Sequence, residues 1–243
     1  NSINSANLNG TDRDECDFKK AYCYYQTQNI AKATPIFEKL ARTNNQYRAD
    51  ATYYYAHILY INGKQDKALE YFNSLKNNSK YKDIADIYIL QINFDKGNYN
   101  LLTEKGNDIL QKAHKNRKAD IALMIAESWM RQGDYKKSLE YYDIMTKNSR
   151  RKIAREIEFN IGFCKMKNED YEGAIEHFTK VANKNDELAQ YSSYYMGQCY
   201  SNTKQDKFAR NTYLKAYKMD FNDTLKENAL YNYAVLSFIP GID

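Results

Sequence analysis

The chain has 243 residues, 36 Lys and Arg against 31 Asp and Glu, and a net charge of +5, a mild excess of cations that is compatible with a nucleic-acid partner but common without one. With 2 Pro, 9 Gly and 43% hydrophobic residues it is neither disordered nor collagen-like, and no apolar run approaches the roughly 20 residues that a membrane helix needs. Four cysteines in so long a chain do not make a disulfide framework. The opening residues NSINSANLNG lack the charged start and apolar core of a signal peptide, but the chain does not begin with Met, so its compartment stays open.

Residues 1–14 read as a flexible N-terminal segment, and from residue 15 onward the sequence repeats itself. In the first unit Ala21 and Tyr24 mark one helix and Ala33, Phe37 and Leu40 mark a second. Pro35 would remove a hydrogen bond from a helix interior, so Thr34 is expected to cap a second helix that starts late. The second unit carries Ala56 and Leu59, then Gly63, then Ala68, Phe72 and Leu75 in "NGKQDKALEYF". In the third, Leu90, Gly97 and Leu102 keep the register, but Asn93 and Gly106 stand where bulky residues are expected, which predicts local irregularity. The fourth, "QGDYKKSLEYY", has Ala126, Trp129 and Gly133 before Ser138, Tyr142 and Met145. The fifth, "NEDYEGAIEHF", has Gly162, Ala174, Phe178 and Val181, and the sixth, "TKQDKFARNTY", has Gly197, Tyr200, Ala209, Tyr213 and Ala216. Ala234 opens a seventh, and Gly241 falls where its turn glycine belongs.

The small residue of the second segment (Ala33, Ala68, Leu102, Ser138, Ala174, Ala209) recurs at intervals of 35, 34, 36, 36 and 35. A large residue follows four later and an apolar one three beyond that, which is one face of a helix. Twelve residues before each stands the small or apolar residue of the first segment, and Gly63, Gly97 and Gly133 lie between, where a reversing chain favours positive φ. Each unit is therefore helix, tight turn, helix.

In unit length and in its order of small then bulky residues, as in "AESWMRQGDYKKSLEYY", the chain resembles the tetratricopeptide-repeat family. The resemblance covers residues 15–243 as six repeats plus the first helix of a seventh, and it implies an all-α, right-handed superhelical solenoid of antiparallel helix pairs. A solenoid closing on an unpaired helix would expose an apolar edge, so more repeats or a capping element are expected to follow.

Nothing in the sequence assembles catalytic or metal chemistry. His57, His114 and His177 fall in different units without metal-ligand spacing, and there is no Gly-rich phosphate loop, nucleophile elbow or His-Glu-x-x-His. Cys16 and Cys23 are seven apart, about 10 Å along a helix, too far for a disulfide. Cys23, Cys164 and Cys199 share one slot, two residues after the small first-helix residue, and read as buried apolar side chains packed on the paired helix. Neither catalytic residues nor a metal or cofactor are expected.

In the family the resemblance points to, first helices line a concave binding face. Mapped here, that face collects Tyr22, Tyr25, Tyr53, Tyr54, His57, Tyr60, Tyr88, Phe94, Phe163, Tyr191, Tyr194 and Tyr195. Aromatic anchors dominate interface energies, so the expected ligand is a protein or peptide segment, with packing between repeats as the plainer use of some of these rings. The family's carboxylate clamp is not supported, because the matching positions carry Phe18, Lys19, Tyr22, Tyr54 and Ile87 rather than a Lys and Asn set.

Two basic stretches, "KAHKNRK" (112–118) and "KNSRRKIAR" (147–155), fall between repeats. They read first as solvated loops whose cations favour the preceding helix C-termini, so nucleic acid is not the expected partner. The alternative is one phosphate-binding ridge of Lys115, Arg117, Lys118, Arg150, Arg151 and Lys152. The expected function is thus a noncatalytic scaffold within a longer chain, with a nucleic-acid regulator or the binding arm of an enzyme or sensor as alternatives. The Asn, Lys and Tyr bias is similar to that of long repeat proteins of Bacteroidetes-type bacteria, which implies a periplasmic or envelope location.

Overall fold

The computed structural model describes residues 10–238, and these form thirteen α-helices without a strand. In chain order they are α1 (Gly10–Gln26), α2 (Ile30–Arg42), α3 (Arg48–Ile61), α4 (Gln65–Ser74), α5 (Lys82–Asp95), α6 (Tyr99–Lys112), α7 (Lys115–Arg131), α8 (Tyr135–Asn148), α9 (Arg155–Lys167), α10 (Tyr171–Val181), α11 (Glu187–Asn202), α12 (Asp206–Tyr217) and α13 (Asp223–Ser237). Two compact units divide them: the first ends at His114 and holds α1 to α6, the second begins at Lys115 and holds α7 to α13. Within each unit every helix packs on the next, and in the second α9 and α11, and α11 and α13, also touch. The architecture is the all-α repeat of helix pairs that the periodicity predicts.

The turn inside each pair is built the same way six times. Gln28, Gly63, Gly97, Gly133, Glu169 and Lys204 hold φ between 57° and 81°. Each donates its N–H to the carbonyl three residues back, at 2.9 to 3.1 Å, and the residue after it donates to the carbonyl five back, at 2.8 to 3.0 Å. This is the Schellman arrangement, which satisfies carbonyls that a helix end leaves open. The following residue is the N-cap of the second helix, where Asp134 and Asp170 also accept side-chain bonds from the Lys137 and Gly173 amides at 3.0 and 3.1 Å. One turn therefore ends one helix and starts the next.

Packing follows the recurring residues. Ala33, Ala68, Leu102, Ser138, Ala174 and Ala209 are fully buried, as are Ala21, Ala56, Leu90 and Ala126 on the first helices. Gly162 and Gly197 complete the first-helix series and are also buried. Over these small residues lie the buried rings Phe37, Phe72, Tyr142, Phe178 and Tyr213. Burying one such side chain contributes about 1.5–3 kcal/mol in each of these five pairs.

Four expectations change or move outside the described residues. The helix of the first unit begins at Gly10, so residues 10–14 are helical rather than part of a flexible segment, while residues 1–9 lie outside the described residues, as does Gly241. Helix α2 does not start late: Pro35 sits inside it, and the Thr34 hydroxyl donates to the Ile30 carbonyl at 2.7 Å instead of capping a helix start. The Asn29 turn fixes the first residues of α2, and the burial of Ala33, Phe37 and Leu40 offsets the roughly 3 kcal/mol that an interior proline costs. The third repeat is regular, with two helices of 14 residues. Its buried Asn93 is satisfied, donating to the Ile89 carbonyl at 2.7 Å and accepting from Asn98 Nδ2 at 3.1 Å, so a polar residue replaces a bulky one without distorting the helix.

Candidate functional site

The first-helix aromatic residues gather into two networks, one in each unit. In the first unit, Tyr54 stacks on the buried Phe37 ring at 5.2 Å and 20°, and Tyr88 on Phe72 at 4.7 Å and 6°. Around these, Tyr22 meets Tyr54 edge-on at 5.4 Å, Tyr25 meets Tyr54 at 5.0 Å, and Tyr60 and His57 meet Tyr88 at 5.4 and 5.5 Å. Tyr53 stacks on Tyr81 at 4.9 Å, and the Tyr81 hydroxyl donates to Asp50 at 2.7 Å. Phe94 contacts Tyr99 at 5.8 Å. Tyr22 is the most open of the set, 38% exposed, and the others are half-buried.

His57 Nδ1 lies 2.9 Å from the Tyr25 hydroxyl, within hydrogen-bond reach. Burial lowers the His57 pKa, so the imidazole is neutral at pH 7. Burial also raises Tyr25 and pushes Tyr54 up to about 12. The face is therefore a neutral one, made of ring edges and hydroxyls.

In the second unit Tyr195 is the hub. It stacks on the buried Phe178 at 5.9 Å and touches Phe163, Phe159, Tyr191 and Tyr194 within 6.3 Å. Tyr191 accepts a hydrogen bond from Asn222 Nδ2 at 3.2 Å, and the Lys167 ammonium lies 5.3 Å over the Phe163 ring. Phe159 belongs to this network but not to the expected set. It occupies the same offset, three before the small first-helix residue, that selects Tyr53 and Tyr194, so the register itself points to it.

Nine of the twelve residues divide by offset into three groups. Tyr54, Tyr88 and Tyr195, two before the small residue, lie flat on the buried Phe of the preceding second helix and tie one repeat to the next. Tyr22, His57 and Phe163 stand one after the small residue, and Tyr25, Tyr60 and Phe94 four after it; of these Tyr22 is exposed and the others are half-buried.

The cysteine slot holds a correction. Cys164 and Cys199 are buried but Cys23 is exposed. The slot faces the second helix of the preceding repeat rather than the paired helix: Cys164 Sγ lies 3.5 Å from Ser138 Oγ on α8. Among the described residues no helix precedes α1, so nothing of that kind covers Cys23. Burial raises Cys164 to about 11 and Cys199 to about 12, which keeps both as neutral thiols. Among the described residues no group of three or more His, Cys, Asp or Glu is placed to hold a metal ion, and no described helix is long and apolar enough to cross a membrane.

The basic residues Lys115, Arg117 and Lys118 lie in the first turn of α7, so the expected help from a preceding helix C-terminus does not apply to them. Arg150 and Arg151 do follow the end of α8 directly. Arg150 and Arg151 line a groove with Asn148 and Ser149, and Asn116, Ala119 and Asp120 of α7 line its other side.

Residues 18–82 match the model of the tetratricopeptide-repeat family. No curated protein matches the chain by sequence. Among solved structures the chain is similar to YrrB, described as a tetratricopeptide-repeat protein with an unusual peptide-binding site, at 17% identity and a TM-score of 0.67 over 80% of this chain and 97% of that one. It is similar to a tetratricopeptide-repeat protein of Parabacteroides merdae at 11% identity and a TM-score of 0.58, covering 91% of this chain and 98% of that one. The pilF protein of Pseudomonas aeruginosa matches at 11% identity and a TM-score of 0.61, covering 92% and 99%. At these identities the structural likeness speaks for the fold alone. The chain thus carries a tetratricopeptide-repeat sequence match at residues 18–82 and the fold of tetratricopeptide-repeat structures over 80% of its length.

Proposed function

We propose that the protein is a noncatalytic scaffold that holds a protein or peptide segment against the aromatic first-helix face of its first unit. The observation that carries this reading is the row Tyr22, Tyr25, His57 and Tyr60. Tyr25 touches His57, and the four rings meet the stacked Tyr54 or Tyr88, while Tyr22 stays exposed and the other three half-buried. Rings fixed in this way add contact area at low entropic cost, and burial keeps the Tyr25 and Tyr60 hydroxyls protonated and His57 neutral. The peptide-binding site ascribed to YrrB is consistent with the same use of the fold.

The test is selection of short peptides from a random displayed library on the whole chain, followed by affinity measurement on variants. Tyr22→Ala with Tyr60→Ala is expected to weaken selected peptides at least 30-fold, about 2 kcal/mol of hot-spot energy, with the thermal midpoint nearly unchanged. Tyr54→Ala is expected instead to lower the midpoint, because it removes the ring stacked on Phe37. Absence of any enriched peptide, or peptides indifferent to Tyr22→Ala with Tyr60→Ala, overturns the reading.

A further inference from the structure

The second unit carries a concentration of cations that its fold does not use. Lys115, Arg117 and Lys118 occupy the first turn of α7, which contains no acidic residue. A helix N-terminus already bears a partial positive charge, so three cations there raise the local potential instead of neutralising it. Beside them runs the loop from Ser149 to Ala154 with Arg150, Arg151 and Lys152. Lys115, Arg117, Arg150, Arg151 and Lys152 are exposed, and none of the six forms an ion pair among the described residues. Some cations elsewhere are paired, as in Arg155 with Asp186 at 2.6 Å and Lys80 with Asp50 at 2.5 Å.

The loop also departs from its counterparts. The N-caps of α11 and α13 each accept an amide with their side chain: Asp186 from Ala189 at 2.9 Å and Asn222 from Leu225 at 3.0 Å. Helix α9 has Ala154 at that place and no side-chain cap. The loop is nonetheless held in shape, with Ser149 Oγ accepting the Arg151 amide at 3.2 Å and donating to the Arg151 carbonyl at 3.1 Å. Its cations are presented on a fixed turn, across a groove from the first turn of α7.

We propose that this basic edge binds the sugar–phosphate backbone of a nucleic acid without reading its sequence. Three of the six cations are Arg, whose planar fork matches phosphate oxygens. A hydrophobic peptide would need an apolar anchor, and an inserting amphipathic segment an apolar face. None of the exposed large hydrophobic side chains lies in either segment. Backbone binding needs only unpaired cations, and Asp120 is the one acid lining the groove. The inference stands on residues separate from the aromatic faces.

The experiment is fluorescence anisotropy of a labelled mixed-sequence DNA duplex with the full chain, across a salt series. The logarithm of the affinity is expected to fall linearly with the logarithm of salt, with a slope of about −5 if all six cations meet phosphates. Arg150→Gln with Arg151→Gln should reduce that slope by about 2, whereas removing two exposed cations elsewhere, Lys207→Gln with Lys218→Gln, should leave it unchanged. Should the first pair lose helicity by circular dichroism, Lys115→Gln with Arg117→Gln makes the same comparison. No salt-dependent binding at about 50 mM salt, or a slope indifferent to the edge variants, overturns the proposal. Tighter binding to polyglutamate or to vesicles of phosphatidylserine and phosphatidylcholine overturns it in favour of an acidic protein or a membrane.

Discussion

A Cβ built on Gly197 would lie 2.7 Å from two ring carbons of Tyr213, and one on Gly162 would lie 3.0 Å from the Phe178 ring. At both positions the helix pair closes to the distance that a hydrogen side chain allows, so the ring on the second helix lies directly on the first helix's backbone. Gly197→Ala must push Tyr213 from a site where the ring is almost wholly buried, and it is expected to destabilise the protein by about 1–3 kcal/mol as an overpacking change. Gly162→Ala, with a contact several tenths of an ångström longer, should cost less. Urea midpoints for the two variants check the order, and Gly197→Ala with Tyr213→Leu should recover part of the loss. Equal midpoints for Gly197→Ala and the parent would show that the ring has room to move.

At the scale of elements, the turns and helix α2 show what the sequence makes legible and what it hides. Gly63, Gly97 and Gly133 mark three turns because glycine suits positive φ, but Gln28, Glu169 and Lys204 take the same conformation with ordinary side chains. The packing of two amphipathic helices forces the turn there, at a cost of about 1–2 kcal/mol per residue that no local signal reveals. Pro35 misleads for the same reason: local propensity argues for a late helix start, and tertiary burial overrides it. Pro35 is exposed, and Ala in its place would donate an amide to the Ala31 carbonyl, so Pro35→Ala is expected to raise stability by about 1–3 kcal/mol. A thermal or urea midpoint no higher than that of the parent would mean that α2 has adapted fully to the ring. The candidate site was half legible. The register found the aromatic face, but residue type alone did not separate Tyr54, which stacks on Phe37, from Tyr22, which stands open; only the offset from the small residue does so.

At the scale of the whole molecule, repeat arrays draw stability from neighbours, so a helix covered on fewer sides is the less stable one. The first-helix small residue is buried in every repeat from Ala21 to Gly197, because a second helix lies over it. On α13 the corresponding Ala234 is only half-buried, and Tyr231, Val235 and Phe238 around it are 70%, 47% and 86% exposed. Helix α13 is held from the other side, by Ala229 and Leu236 against the α12 residues Tyr213 and Ala216. With one packed face, its amides should open at a lower free energy than those of α11, which contacts α9, α10, α12 and α13. Native-state hydrogen exchange resolved by peptide is expected to show α13 exchanging first in the second unit and α11 among the last. Protection of α13 equal to that of α11 would mean that the exposed stripe is covered in solution, and adding denaturant at a concentration too low to unfold α11 would then show whether that cover is shed as a separate step.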